Sequence, residues 1–106
     1  MPAKRSRPYR LRPAARRDLR NIWSFTAKQW SVEQAQTYLV GMITALEQLA
    51  DNPKVARLRS DIDPPVRVYR HASHMIIFSE DHEQLDIIRI RHIHENWAAD
   101  FGANDQ

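Results

Sequence analysis

The stretch VRVYRHASHMIIFSEDHEQLDIIRIRH, residues 66–92, decides the architecture of this chain. Val66 and Val68 alternate with Arg67 and Tyr69, and His74–Ser79 and Leu85–Arg91 are short apolar runs separated by Ala72–Ser73 and Asp81–Glu83. A period of two, broken at short polar intervals, predicts three consecutive strands joined as a meander. On the last strand the alternation puts Ile88, Ile90 and His92 on one face and Ile87, Arg89 and Arg91 on the other. With helices covering the Ile88/Ile90 face, Arg89 and Arg91 project from an uncovered face. Arg67 joins them there in a concave basic surface suited to an anion or an acidic partner.

Upstream the period changes. Tyr9–Arg12 alternates apolar and basic side chains and ends at Pro13, which suits a short strand followed by the first turn of a helix. Ala15, Leu19, Ile22, Trp23, Thr26 and Trp30 then recur at three- and four-residue steps, a single buried stripe that places Trp23 and Trp30 in the core. Ser31 with Gln34 matches a capping box. Ala35, Tyr38, Leu39, Met42, Leu46 and Leu49 carry a second helix to about Ala50, where Asp51, Asn52 and Pro53 stop it. Two helices with almost no linker pack as an antiparallel hairpin. A polar loop containing Lys54, Arg57 and Arg59 leads to Pro64–Pro65 and the meander, and Glu95–Phe101 adds a short helical segment. The fold class expected is α+β, β-α-α-β-β-β, with the hairpin on one face of a small antiparallel sheet.

At 106 residues the chain suits one domain, expected over 9–101, with a basic leader at 1–8 and a tail at 102–106. There is no cysteine, which removes thiol catalysis, thiolate metal sites and disulfides and fits a reducing compartment. No apolar run reaches the roughly 20 residues of a membrane span, and Met1–Arg10 lacks a signal-peptide core, so a cytoplasmic location is expected. Two glycines, Gly41 and Gly102, leave no phosphate-cradling loop. The formal charge is +3. Lys4, Arg5, Arg7, Arg10, Arg12, Arg16, Arg17 and Arg20 crowd the start with only Asp18 among them, a cluster that favours an acidic partner or nucleic acid.

His71, His74, His82, His92 and His94 show no metal-ligand spacing, so neither metal nor cofactor is expected. His92, near a strand end, is the best placed to move a proton. Trp97 lies in the short terminal segment, where it either seals the core or serves as a contact anchor.

Taken in order, these residues resemble the ParE toxin family. The family's Ala-x-x-Asp-Leu-x-x-Ile helix reads here as Ala15, Asp18, Leu19 and Ile22. Its next helix reads as Gln34, Ala35 and Tyr38, closing with Leu49, Ala50 and Pro53. Arg67 matches the arginine of the first meander strand, His74, Ile76 and Phe78 match the next, and Ile87, Arg89, His92 and Trp97 match the close. Asn96 stands where the family often has aspartate, and Pro65 or Val66 where it has glycine. The resemblance implies a toxin of a type II toxin–antitoxin system that binds DNA gyrase rather than catalysing a reaction. It also implies a ParD-like antitoxin as hetero-oligomeric partner, with DNA met only through that complex. Arg57, Arg59, Arg67, Arg89, Arg91, His92 and Trp97 are then the expected target- or antitoxin-binding surface. The related RelE and YoeB branches cut messenger RNA on the ribosome. In that alternative Arg67, Arg89 and Arg91 stabilise phosphate and His92 moves the proton, although the branch's terminal tyrosine and lysine-rich array are missing. A small DNA-binding module using the basic leader and first helix is a third reading.

Overall fold

The computed structural model describes residues 8–80 and 83–101. Strand β1 (Tyr9–Leu11) runs directly into helix α1 (Pro13–Gln29), which opens on its proline. Proline suits that position because the first helical N–H has no intrahelical partner and its φ is already helical. Ser31 caps helix α2 (Val32–Asp51), its hydroxyl accepting a hydrogen bond from the Gln34 N–H at 3.0 Å. A 3₁₀ turn at Pro53–Val55 ends the helical hairpin. Strands β2 (Arg57–Arg59), β3 (Val66–His71), β4 (His74–Glu80) and β5 (Leu85–His92) follow, then a 3₁₀ turn at Trp97–Phe101.

The α+β class is observed, with two helices and a five-stranded sheet in the order β1-β5-β4-β3-β2. The three-strand meander is in place. β1 pairs parallel to β5 and the other pairs are antiparallel. One strand escaped the sequence pattern: β2 occupies part of the expected polar loop, because a three-residue strand with Leu58 exposed carries no legible alternation. The β3–β4 turn places Ala72 at φ 52°, in the left-handed region. The expected turn at Asp81–Glu83 falls largely outside the described residues, as do the tail and all of the leader except Pro8. Pro8, just ahead of β1, accepts the Leu85 N–H on its carbonyl at 3.1 Å.

The main core lies between the hairpin and the sheet. Met42, Leu46 and Leu49 of α2 meet Ile76 and Phe78 of β4 and Leu85, Ile87 and Ile90 of β5, all buried. Each such side chain contributes about 1.5–3 kcal/mol relative to exposure. The opposite face is not uncovered as expected. Ile62, Val66, Val68 and Ile77 form a second cluster there under Trp97, with Met75, Ile88 and Phe101 against it.

A β-bulge corrects the faces read from β5. Ile87 pairs with Phe78 and Arg89 with Ile77, so Ile88 is an extra residue and the alternation changes parity at that point. Ile87 and Ile90 therefore both reach the main core, while Ile88 joins the second cluster. Strict alternation had put Ile88 with Ile90 and Ile87 with the arginines. The tryptophans of α1 need a second correction. Burial in that helix stops at Ile22, so Trp23 is 37% and Trp30 71% exposed rather than core. The apolar stripe continues past the point where the sheet can cover it.

Candidate functional site

β5 carries the residues around which the candidate site is built. Beyond Leu11 its outer edge is no longer paired with β1, and Asp18 of α1 takes over that edge. One carboxylate oxygen of Asp18 accepts the Ile90 N–H at 2.9 Å, and both oxygens hold the Arg89 guanidinium, at 2.8 and 2.9 Å. Arg91 makes the equivalent two-point contact with Glu95, at 2.9 and 3.0 Å. That guanidinium, helped by the His92 N–H, holds the Glu95 carboxyl below its ordinary range. Two bidentate pairs thus pin the last turn of β5 to α1 and to the loop after it.

His92 lies between these pairs in a strip of rings running across three strands. The register sets His71 opposite His74 and His74 opposite His92. The His74 and His92 rings are 5.4 Å apart and those of His92 and His94 5.1 Å apart. From α2, Tyr38 Oη lies 2.8 Å from His74 Nδ1 and accepts the Ser73 N–H at 3.3 Å. The network is satisfied when Tyr38 donates to Nδ1, which places the neutral His74 proton on Nε2. Burial, and secondarily the nearby His92, push the His74 pKa below its ordinary value, while burial raises that of the Tyr38 phenol. His74 is thereby kept as a neutral acceptor.

Two adjoining hollows share this strip. One, of about 510 Å³, is bounded by Phe25 of α1 and Trp30 just past its end, Gln34 and Tyr38 of α2, and His74 and His92 of the sheet. The other, of about 430 Å³, is lined by Asp18, Asn21, Arg89, Arg91, His92 and Glu95. Together they form an aromatic trough with a charged end, suited to an apolar anchor and polar contacts from a macromolecular partner.

The structure gathers Arg89, Arg91 and His92 here and separates the rest of the expected surface from them. Arg67 shares a face with its cross-strand partner Phe78, which is in the main core, whereas Arg91 shares one with Met75, in the second cluster. The single basic face read for Arg67, Arg89 and Arg91 is therefore not formed. Arg67 instead bonds Glu80 at 2.8 Å and the Ala56 carbonyl at 2.9 Å. Arg59 pairs with Asp61, whose pKa it lowers to about 2, and its guanidinium stands 5.0 Å over the Trp97 ring. Trp97 is buried in the second cluster. Arg57, on the same short strand, is exposed.

Reading the sequence alone missed Tyr38, His74, His94, Asp18 and Glu95 as site members. The His92-x-His94 spacing was a visible hint, but the His74–His92 pairing depends on strand register. Among the described residues no group of histidines and carboxylates is arranged to hold a metal. No helix of the described residues is long and apolar enough to cross a membrane.

Comparison with known proteins places these residues in a wider set. Residues 9–97 match the family described as ParE toxin of type II toxin-antitoxin system, parDE. The chain is 34% identical over 85 residues to Toxin ParE1 of Mycobacterium tuberculosis (strain H37Rv), covering 79% of this chain and 87% of that one. With Toxin ParE1 of Caulobacter vibrioides it shares 30% identity over 96 residues, covering 91% and 99% respectively. A solved structure titled Chromosomal ParDE TA system from P. aeruginosa contains a chain of the same fold, with a TM-score of 0.71 at 17% identity, covering 81% of this chain and 95% of that chain.

Proposed function

The chain belongs to the ParE toxin family of type II toxin–antitoxin systems, and from that premise we propose that it arrests growth by binding DNA gyrase and is silenced by a ParD-like antitoxin. The observation that favours binding over cleavage is the state of the arginines. Arg89 and Arg91 are each clasped by a carboxylate, so a phosphodiester entering the trough meets Asp18 and Glu95 as well as the cations. Two carboxylates repel a polyanionic substrate and suit a protein surface better. The exposed Phe25, Trp30 and Val32 beside the trough add the apolar anchors that a largely disordered antitoxin segment needs when it folds on its partner.

One observation favours the nuclease reading instead. His74 beside His92 supplies two proton carriers where the sequence offered one, and ribose-directed cleavage needs both an acid and a base.

The purified chain is expected to inhibit gyrase supercoiling and to leave ribosome-bound messenger RNA intact. An Arg89→Ala/Arg91→Ala double variant that stays folded should lose growth inhibition in a gyrase-sensitive host, and co-expression of the antitoxin should restore growth. Codon-phased messenger cleavage that vanishes in His92→Ala, with gyrase unaffected, would reassign the chain to the RelE-like branch.

A further inference from the structure

The chain is electrically lopsided in a way that gyrase or antitoxin binding at the trough does not use. Eight of its sixteen cationic side chains fall within the first 20 residues against one acid, Asp18, whereas the remaining 86 residues carry eight against twelve acids. The first part is thus positive by seven and the rest negative by four. The fold sharpens this asymmetry. Asp18 is turned away to Arg89 and the Ile90 N–H, and Asp86 is shared between Arg10 and Arg12, whose side chains stay 59% and 47% exposed. At 100° per residue, Arg16, Arg17 and Arg20 occupy one sector of about 100° on α1, with Asp18 on the far side. All three are exposed, and among the described residues none of them forms an ion pair.

We propose that this arginine sector of α1, on the same cationic segment as Arg10 and Arg12 of β1, binds the phosphate backbone of duplex DNA without reading its sequence. Three exposed guanidiniums in one sector, with two more on the adjoining strand that share a single carboxylate, match the densest polyanion available, which carries one charge per roughly 1.7 Å of axis. The face is a poor fit for other anionic partners. Its first exposed aromatic is Trp23, one turn beyond Arg20, so it lacks both the apolar centre of a protein interface and the ring platform for single-stranded bases. Nor does it offer apolar side chains to enter a lipid surface.

The test is anisotropy of a labelled 20-bp duplex of arbitrary sequence with the full chain between 50 and 200 mM salt. With about four phosphates neutralised, log affinity should fall against log salt with a slope of roughly −3 to −4. Arg16→Gln/Arg17→Gln/Arg20→Gln should weaken binding more than about tenfold at 50 mM and flatten the slope by about 2 to 3, while the triple lysine variant keeps it. Single Arg17→Gln, flattening it by about 0.9, serves if the triple variant shifts the thermal melt. An unchanged slope in these variants would overturn the proposal. So would loss of binding confined to Lys4→Gln/Arg5→Gln/Arg7→Gln, or capture by phosphatidylserine vesicles without any binding to the duplex.

Discussion

At the scale of single residues, the burial of a carboxylate decides how much it matters. Asp18 and Asp61 each receive two hydrogen bonds from one arginine. Asp18 is nearly buried and also satisfies the backbone N–H of Ile90, whereas the Asp61 side chain is 60% exposed. Removing Asp18 takes away two hydrogen bonds of the part-buried Arg89 guanidinium and leaves the Ile90 N–H without its side-chain acceptor. Asp18→Ala is therefore expected to cost about 2 kcal/mol in urea unfolding. Asp61→Ala should leave the midpoint unchanged, because water screens an exposed pair and replaces it. The same contrast explains the buried Asp86: burial alone would raise its pKa, but the Arg12 and Arg10 guanidiniums lower it.

Among the elements, α2 has one avoidable weakness. Gly41 sits in the middle of the helix, where a residue without a side chain gives up more backbone freedom on folding than alanine does. A methyl group there would lie 3.5 Å from His71 Nε2, an ordinary contact that asks nothing to move. Gly41→Ala should accordingly stabilise the protein by about 0.5–1 kcal/mol, read as a raised thermal midpoint with unchanged circular dichroism. Were the helix to reach His71 more closely than this, the sign would reverse. α1 shows the opposite situation. Its apolar side chains outrun the core, and Phe25 with Trp30 just past the helix end, both exposed, become the wall of the trough.

For the whole molecule, His74 ties stability to pH, because its contacts join α2 to three strands. His74 meets Tyr38 from α2, His71 from β3 and His92 from β5, with the more distant charges of Glu95 and Asp18 partly offsetting burial. Its folded pKa lies below the unfolded value of about 6.5, so the unfolded chain takes up a proton first as pH falls. The contribution is complete above pH 6.5 and is lost progressively below it. Thermal midpoints should therefore hold level between pH 8 and 7 and drop from pH 6.5 to 5.5. His74→Gln should flatten that drop, and an equally steep drop in the variant would place its origin elsewhere.

Elements and fold class were legible in the sequence because they follow from local periodicity. The stripes through Leu19 and Ile22 and through Met42 and Leu46, the Ser31 cap, the Pro13 and Pro53 boundaries, the alternation in β3 and the short apolar run of β4 each depend on neighbours within a few residues. Arg89 and Arg91 could be picked out as a pair for the same reason, whereas His92 was read onto the opposite face and joined them only through the family resemblance. What surrounds them could not. The bulge at Ile88 is set by how β4 and β5 settle against two different clusters, and it alone determines which face each later side chain joins. Asp18 finds Arg89 across 71 positions, and Tyr38 finds His74 across 36. No periodicity encodes such distances. They exist because the sheet register and the packing of the helical hairpin bring remote polar groups to one place, where loss of water requires them to pair.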